Sequence, residues 1–262
     1  MCNFRTFLGK EFMENIRSKR LWILGGVFVF LAITMPLLAR YINELVNMFA
    51  GDDEMAQEMI AAMGEPHWSS SYAQFFANLN QIGAIAVILS FMGTILREKN
   101  SGTIDLVATK GLKPIQFVLA KFTMGAILTF IITMISTMIV FLYTWELFGE
   151  SGQIGYVLLS GAAFSVYLLM LLGITVFFSS VAKSTGGAAV YSLIAYFVIS
   201  LITIINRIAD YTPGALMFSP SHVAGGHLGY FTNSFLISII ASAIICALSL
   251  WGAVILTAKK QV

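Results

Sequence analysis

The sequence predicts an all-α, polytopic membrane protein with six transmembrane helices. Hydrophobic residues fill 58% of the 262 positions and charged residues only 11%, against roughly 25% charged in a soluble domain. Mean hydropathy is +0.85. Six runs, near 21–39, 78–96, 117–143, 155–181, 186–205 and 234–257, meet the requirement of about 20 apolar residues for crossing a bilayer. The spans take most of the length, so one membrane domain over 1–262 is expected. Cys2 and Cys246 lie in a terminal segment and in a span, and give neither a disulfide framework nor a metal-ligand spacing.

The chain opens with an amphipathic segment, 1–20. Phe4, Leu8, Phe12 and Ile16 recur every four residues, with Phe7 and Met13 beside them, while Arg5, Lys10, Arg17, Lys19 and Arg20 supply a basic side. This predicts an N-terminal interfacial helix, its apolar side among acyl chains and its cations near anionic headgroups. A cleaved signal peptide is not expected, because the run 21–38 is long and lacks a small-x-small cleavage site.

Orientation follows from the basic residues. The N-terminal segment, the 97–121 loop, the turn at Lys183 and the C-terminus carry every Lys and Arg except Arg40 and Arg207. Both termini are therefore expected in the cytoplasm. The break between the fourth and fifth runs, with Lys183, Gly186 and Gly187, reads as a tight turn on that same side.

The opposite segments are unequal. Residues 40–77 are acidic, and Ile42, Leu45, Val46 and Phe49 recur at helical spacing before Met55, Met59, Ile60 and Met63 resume it. One or two amphipathic helices at the outer surface are expected, more as packing on the protein's own rim than as a receptor for cargo. Residues 206–233, with Pro213 and Pro220, predict a small cap at most. His222 and His227 stand five apart, which misses the one-face pairing that metal ligands on a helix need.

The 97–121 segment is the largest basic insertion. Ser101, Gly102 and Thr103 offer helix starts, and Asp105 suits a first turn. Ile104, Val107 and Ala108 share a face; Gly111 and Pro114 stop the helix. A short helix is predicted here, on the basic side between spans two and three. Glu98, Gly102-Thr103, Leu106, Pro114 and Lys121, in that order after the second span, resemble the type-2 permeases of ATP-binding cassette (ABC) exporters. The resemblance extends over essentially the whole chain. It implies that this loop is a cytoplasmic coupling helix seated on a nucleotide-binding subunit, with Glu98, Gly102, Thr103, Ile104, Leu106, Val107, Lys110 and Pro114 as its coupling residues. It also implies that the N-terminal helix touches that subunit.

The spans are as informative in what they lack. No Asp, Glu, Lys, Arg or His lies well inside any run, and Lys121 falls at a cytoplasmic edge. Intramembrane charges mark ion and proton pathways, so a proton- or sodium-coupled carrier is disfavoured. No GxxxxGK[ST] loop is present, so energy must come from another subunit. Hydroxyls instead form stripes: Thr129, Thr133, Ser136 and Thr137 on the third span, Ser192, Tyr196, Ser200 and Thr203 on the fifth, and Ser234, Ser238, Ser242 and Ser249 on the sixth. Close helix packing explains the third and sixth. For the fifth, the resemblance implies that it lines a central path between two permease subunits. Tyr191, Ser192, Tyr196, Ser200 and Thr203 are the candidate path residues, with Phe197 completing an aromatic wall.

The expectation is a non-catalytic permease subunit in a bacterial plasma membrane, exporting amphipathic or hydrophobic peptides or drugs. Its partners would be two copies of a cytoplasmic ABC ATPase, a second permease subunit, identical or related, and membrane lipid. ATP and Mg would bind the ATPase and no cofactor this chain; no nucleic-acid partner is expected. A sensor or scaffold subunit without transport shares the same fold. An intramembrane enzyme would need paired catalytic groups at membrane depth, and the serines and histidines of SPSHVAGGH lie in an outer loop instead.

Overall fold

The computed structural model describes residues 4–50, 65–103, 113–203, 205, 211–224 and 233–258. Helix α1 (Phe4–Arg17) leads through a bend at Ser18 into α2 (Lys19–Ala50). Span two is composite: α3 (Trp68–Asn78), a π-helical turn (Leu79–Gly83), α4 (Ala84–Phe91), a turn, and α5 (Leu96–Asn100). Then come α6 (Pro114–Phe148), α7 (Ile154–Val181), α8 (Thr185–Ile202), the short α9 (Ala215–Ala224) and α10 (Asn233–Ala258). No strand occurs among the described residues, and six helical stretches are long and apolar enough to cross a membrane.

Two helices run further than their hydropathy suggests. The first continues without a break from the membrane run into Ile42, Leu45 and Val46, so the first amphipathic stretch beyond residue 39 extends span one rather than forming a separate helix. Span two begins at Trp68, ten residues before its apolar run, because Ser69, Ser70, Ser71 and Gln74 lower hydropathy without interrupting the helix. The second half of the acidic outer segment lies outside the described residues.

Helix ends follow local chemistry. Pro114 starts α6, where its missing N–H costs nothing, and the Gln116 side chain accepts from the Lys113 N–H at 3.1 Å. Ser184 caps α8 by accepting from Gly187 N at 3.0 Å, across the tight turn after α7. The turn between α4 and α5 leaves backbone donors at Ile95 and Leu96, and the buried Ser179 hydroxyl of α7 accepts from both, at 3.0 and 3.2 Å.

α7 is the centre of the bundle, packing against α4, α6, α8, α9 and α10. In its most apolar stretch 72% of residues are buried, against 22% in span five and 11% in span six. Phe164, Tyr167, Leu168 and Leu171 of α7 meet Phe76, Leu79 and Phe91 of span two in the main core. A second, smaller core gathers Phe7, Ile95, Phe117, Val118 and Val176 where α1 crosses the start of α6.

Candidate functional site

The smaller core encloses charge. α1 turns Phe7, Glu11 and Asn15 inward, at four-residue spacing, and leaves Phe12, Met13 and Ile16 exposed. Lys121 lies two turns into α6, and its side chain is only 2% exposed. An ammonium this far from water must be paired. Its Nζ lies 3.0 Å from both carboxylate oxygens of Glu11 and 2.7 Å from Oε1 of Glu98, at the end of span two. Lys10 caps the group from outside, donating to Glu98 at 3.0 Å and Glu11 at 3.3 Å and pairing with Glu14 at 3.3 Å. The Phe7 and Phe117 rings, 5.8 Å apart, lie beneath the two ammonium groups, each 5.3 Å from its lysine.

The electrostatics bind the cluster together. Burial alone would lower the Lys10 pKa, but the hydrogen bond to Glu98 and the charges of Glu11, Glu98 and Glu14 hold it well above the usual lysine value. Burial alone would raise the Glu14 carboxyl, yet Lys121 and Lys10 hold it below its ordinary 4.5. The carboxylate oxygens of Glu11, Glu14 and Glu98 lie within 4.8 Å of one another. Lys10 and Lys121 pair with all three, and Arg20 adds positive charge at longer range, so the group is an ion-pair junction. It joins three elements, α1, the end of span two and the start of α6, on both flanks of the 101–113 loop.

Of the coupling residues expected from sequence, Glu98, Gly102, Thr103 and Pro114 lie among the described residues, near this junction. Glu98 is inside it. Gly102 ends the short α5 turn with φ +70°, a conformation natural to glycine, and Thr103 exchanges a 2.8 Å hydroxyl contact with Ser101. Pro114 begins α6. Ile104, Leu106, Val107 and Lys110, and with them the helix expected there, lie outside the described residues.

The five path candidates separate. Ser192 and Tyr196 are buried inside the subunit, and Tyr196 donates to the Asn80 carbonyl, at 3.1 Å, within the π turn of span two. Tyr191 is exposed on another face, with Ile194, Phe197 and Leu201. Ser200 and Thr203 are partly covered. Ser192, Ser200 and Thr203 all donate to the carbonyl four residues back, at 2.7, 3.0 and 2.9 Å. Their hydroxyls are therefore satisfied by their own helix, which needs no neighbour to explain them.

Sequence reasoning missed Glu11 and Glu14. The available signal was Lys121 itself: a lysine two turns into an apolar helix needs a carboxylate, and Glu11 stands in line with Phe7 and Asn15 on the helix nearest in kind.

Comparison with known proteins agrees with this architecture. Residues 5–259 match the profile of a family described as "ABC-2 family transporter protein". The chain is also 20% identical, over 249 residues, to "Uncharacterized transmembrane protein YxlG" of Bacillus subtilis (strain 168), covering 94% of this chain and 95% of that one. A family match that takes in all six spans, the junction and the intervening loop settles the class: the chain belongs to the ABC-2 family of transporter proteins.

Proposed function

We propose that this chain is the permease subunit of an ATP-driven exporter, moving amphipathic or hydrophobic peptides or drugs out of the cytoplasm or the inner leaflet. The observation that carries the reading is the ion-pair junction flanking the span two–three loop in a chain of this family. A cytoplasmic ATPase seated on the loop would act on three elements at once, because Glu98, Lys121 and Glu11 tie span two, span three and α1 together. Two ATPase subunits carrying ATP and Mg, and a second permease, complete the assembly. Both termini lie in the cytoplasm in this reading, and the exposed Phe12, Met13 and Ile16 of α1 rest on lipid. The wall of Tyr191 and Phe197 faces the second permease, while Ser192, Tyr196, Ser200 and Thr203 line the path only if span five moves against span two.

Affinity purification of the tagged chain tests this. An ATP-hydrolysing subunit bearing a GxxxxGK[ST] loop should co-purify, and its hydrolysis should rise with amphipathic peptides. Cysteines placed at Asn100 should react with an impermeant thiol reagent only after the membrane is opened, and those at Tyr211 in intact cells. A chain that purifies alone and stimulates no hydrolysis favours the sensor or scaffold reading.

A further inference from the structure

Between the start of α2 and the last turns of span two lies a cavity of about 360 Å³, within the range of roughly 300–1,000 Å³ typical of small-molecule sites. Its lining brings Lys19, Arg20 and Arg97 together with Glu14, Glu98 and the hydroxyl-bearing Ser90 and Thr94. Two independent features point to a ligand.

The first is unbalanced charge. Both carboxylates are already paired, Glu14 with Lys10 at 3.3 Å and Glu98 with Lys121 at 2.7 Å. Arg20 and Arg97 make no ion pair among the described residues. Arg20 hydrogen-bonds the Asn15 side-chain oxygen, at 3.4 Å, lies 5.5 Å from the centre of the Phe91 ring, and meets the charges of Glu14, Glu11 and Glu98 only at longer range. The cavity wall thus carries surplus positive charge. The second is a set of polar atoms without partners. Ser90 Oγ, Thr94 Oγ1 and Glu98 Oε2 are all buried and unbonded, and Thr94 is only 4% exposed. Buried polar groups left unpaired are costly, and three along one cavity indicate that something polar belongs there.

We propose that this cavity binds a phosphate ester, presented by a glycerophospholipid headgroup. Guanidinium forks and hydroxyl donors are the chemistry that holds phosphate oxygens. Glu98 Oε2 is left as an acceptor for an ammonium such as that of ethanolamine. The lipid source follows from the cavity's apolar border: Ile23 and Leu89 also line it and are each about half exposed, at 52% and 46%. They offer a surface along spans one and two on which acyl chains can lie, which a soluble phosphate would not use. The bound headgroup would sit against Glu98 and so against the charged junction.

Native mass spectrometry of the detergent-purified chain, delipidated and then incubated with defined lipids, tests the site without reference to transport. One phosphatidylethanolamine or phosphatidylglycerol per chain should be retained, and diacylglycerol with the same tails should not. Arg20→Gln and Arg97→Gln should each weaken retention about tenfold, the scale of one charged hydrogen bond. Gly93→Ala should weaken it with no change of charge, because a Cβ there would fall 2.7 Å from Arg97 Nε and displace that side chain. Inorganic phosphate that stabilises the protein as well as phospholipid does would support the phosphate site and make its ligand soluble. Equal retention of diacylglycerol, or unchanged retention in all three variants, would overturn the proposal. The wild-type comparison of phospholipid with diacylglycerol decides the matter even if the arginine variants fail to fold.

Discussion

The two ends of the bundle are fastened by different chemistry. At one end, Tyr72 of α3 donates to the Ser151 carbonyl at 2.7 Å, Trp68 packs edge-on against Tyr72, and α9 covers α3 and α7 with Leu216 and Met217. Gly152 turns beneath Trp68 with φ +68°, where a Cβ would come within 2.9 Å of the indole. Neutral groups and shape do the fastening. At the other end, α1, span two and α6 meet through Lys121, Glu11, Glu98 and Lys10. A neutral seam of this kind has one best arrangement. A charged one depends on countercharges that a docked partner can supply, screen or displace. The neutral end lies opposite the loop, and the charged junction adjoins it.

The largest test of this contrast is Lys121→Met. It leaves the buried Glu11 and Glu98 carboxylates with only the half-exposed Lys10 as countercharge, so it should lower stability by about 3–5 kcal/mol, the usual cost of breaking a buried pair. The apparent melting temperature in detergent reads it out. Adding Glu11→Gln and Glu98→Gln should restore much of the loss, since neutral groups of similar size remove the uncompensated charge. A single variant as stable as the parent would mean that the junction is wet and weak. Tyr72→Phe should cost less, about 1 kcal/mol for one hydrogen bond, and its effect should be independent of salt.

The smallest expected effect is on pH dependence, and it separates the ends most cleanly. Glu14 has its folded pKa below the ordinary 4.5, so its contribution is complete above 4.5 and lost as pH falls through the lower folded value. Lys10 is shifted upward, so its contribution is complete below the ordinary 10.5 and lost as pH rises beyond it. Between those limits both are present. Glu14 is partly exposed, which keeps the effect small. Melting curves should therefore fall less steeply below pH 4.5 for Glu14→Gln than for the parent. Tyr72→Phe should track the parent in acid; if it flattens there instead, the distinction between the two ends fails.

The same contrast explains what could be read in advance. Apolar length and helix caps are local properties of the sequence. Pro114 reads in the sequence as the stop of the preceding helix, and Lys183 with Gly186 and Gly187 as a tight turn; the structure keeps both breaks and makes Pro114 the first residue of α6 and Ser184 the cap of α8. The charged end is a meeting of residues 11, 98 and 121, far apart in the chain. Glu11 was hidden in a segment whose basic and apolar residues described it well without it. The fifth-span hydroxyls show the converse. Their shared face was legible, but bonding to their own backbone makes the face silent about its neighbour.

The sequence by itself determined the class, six helical spans, and the charge asymmetry of the chain, because the need to bury twenty-residue apolar stretches and satisfy their backbone permits little else. Only the tertiary structure decided that α7 stands at the centre, that Tyr196 turns inward to the π turn of span two, and that Lys121 is a buried tie rather than an edge charge. Those outcomes rest on which helix faces meet. Periodicity fixes which residues share a face, but the partner of that face is chosen by packing and charge pairing across the whole bundle.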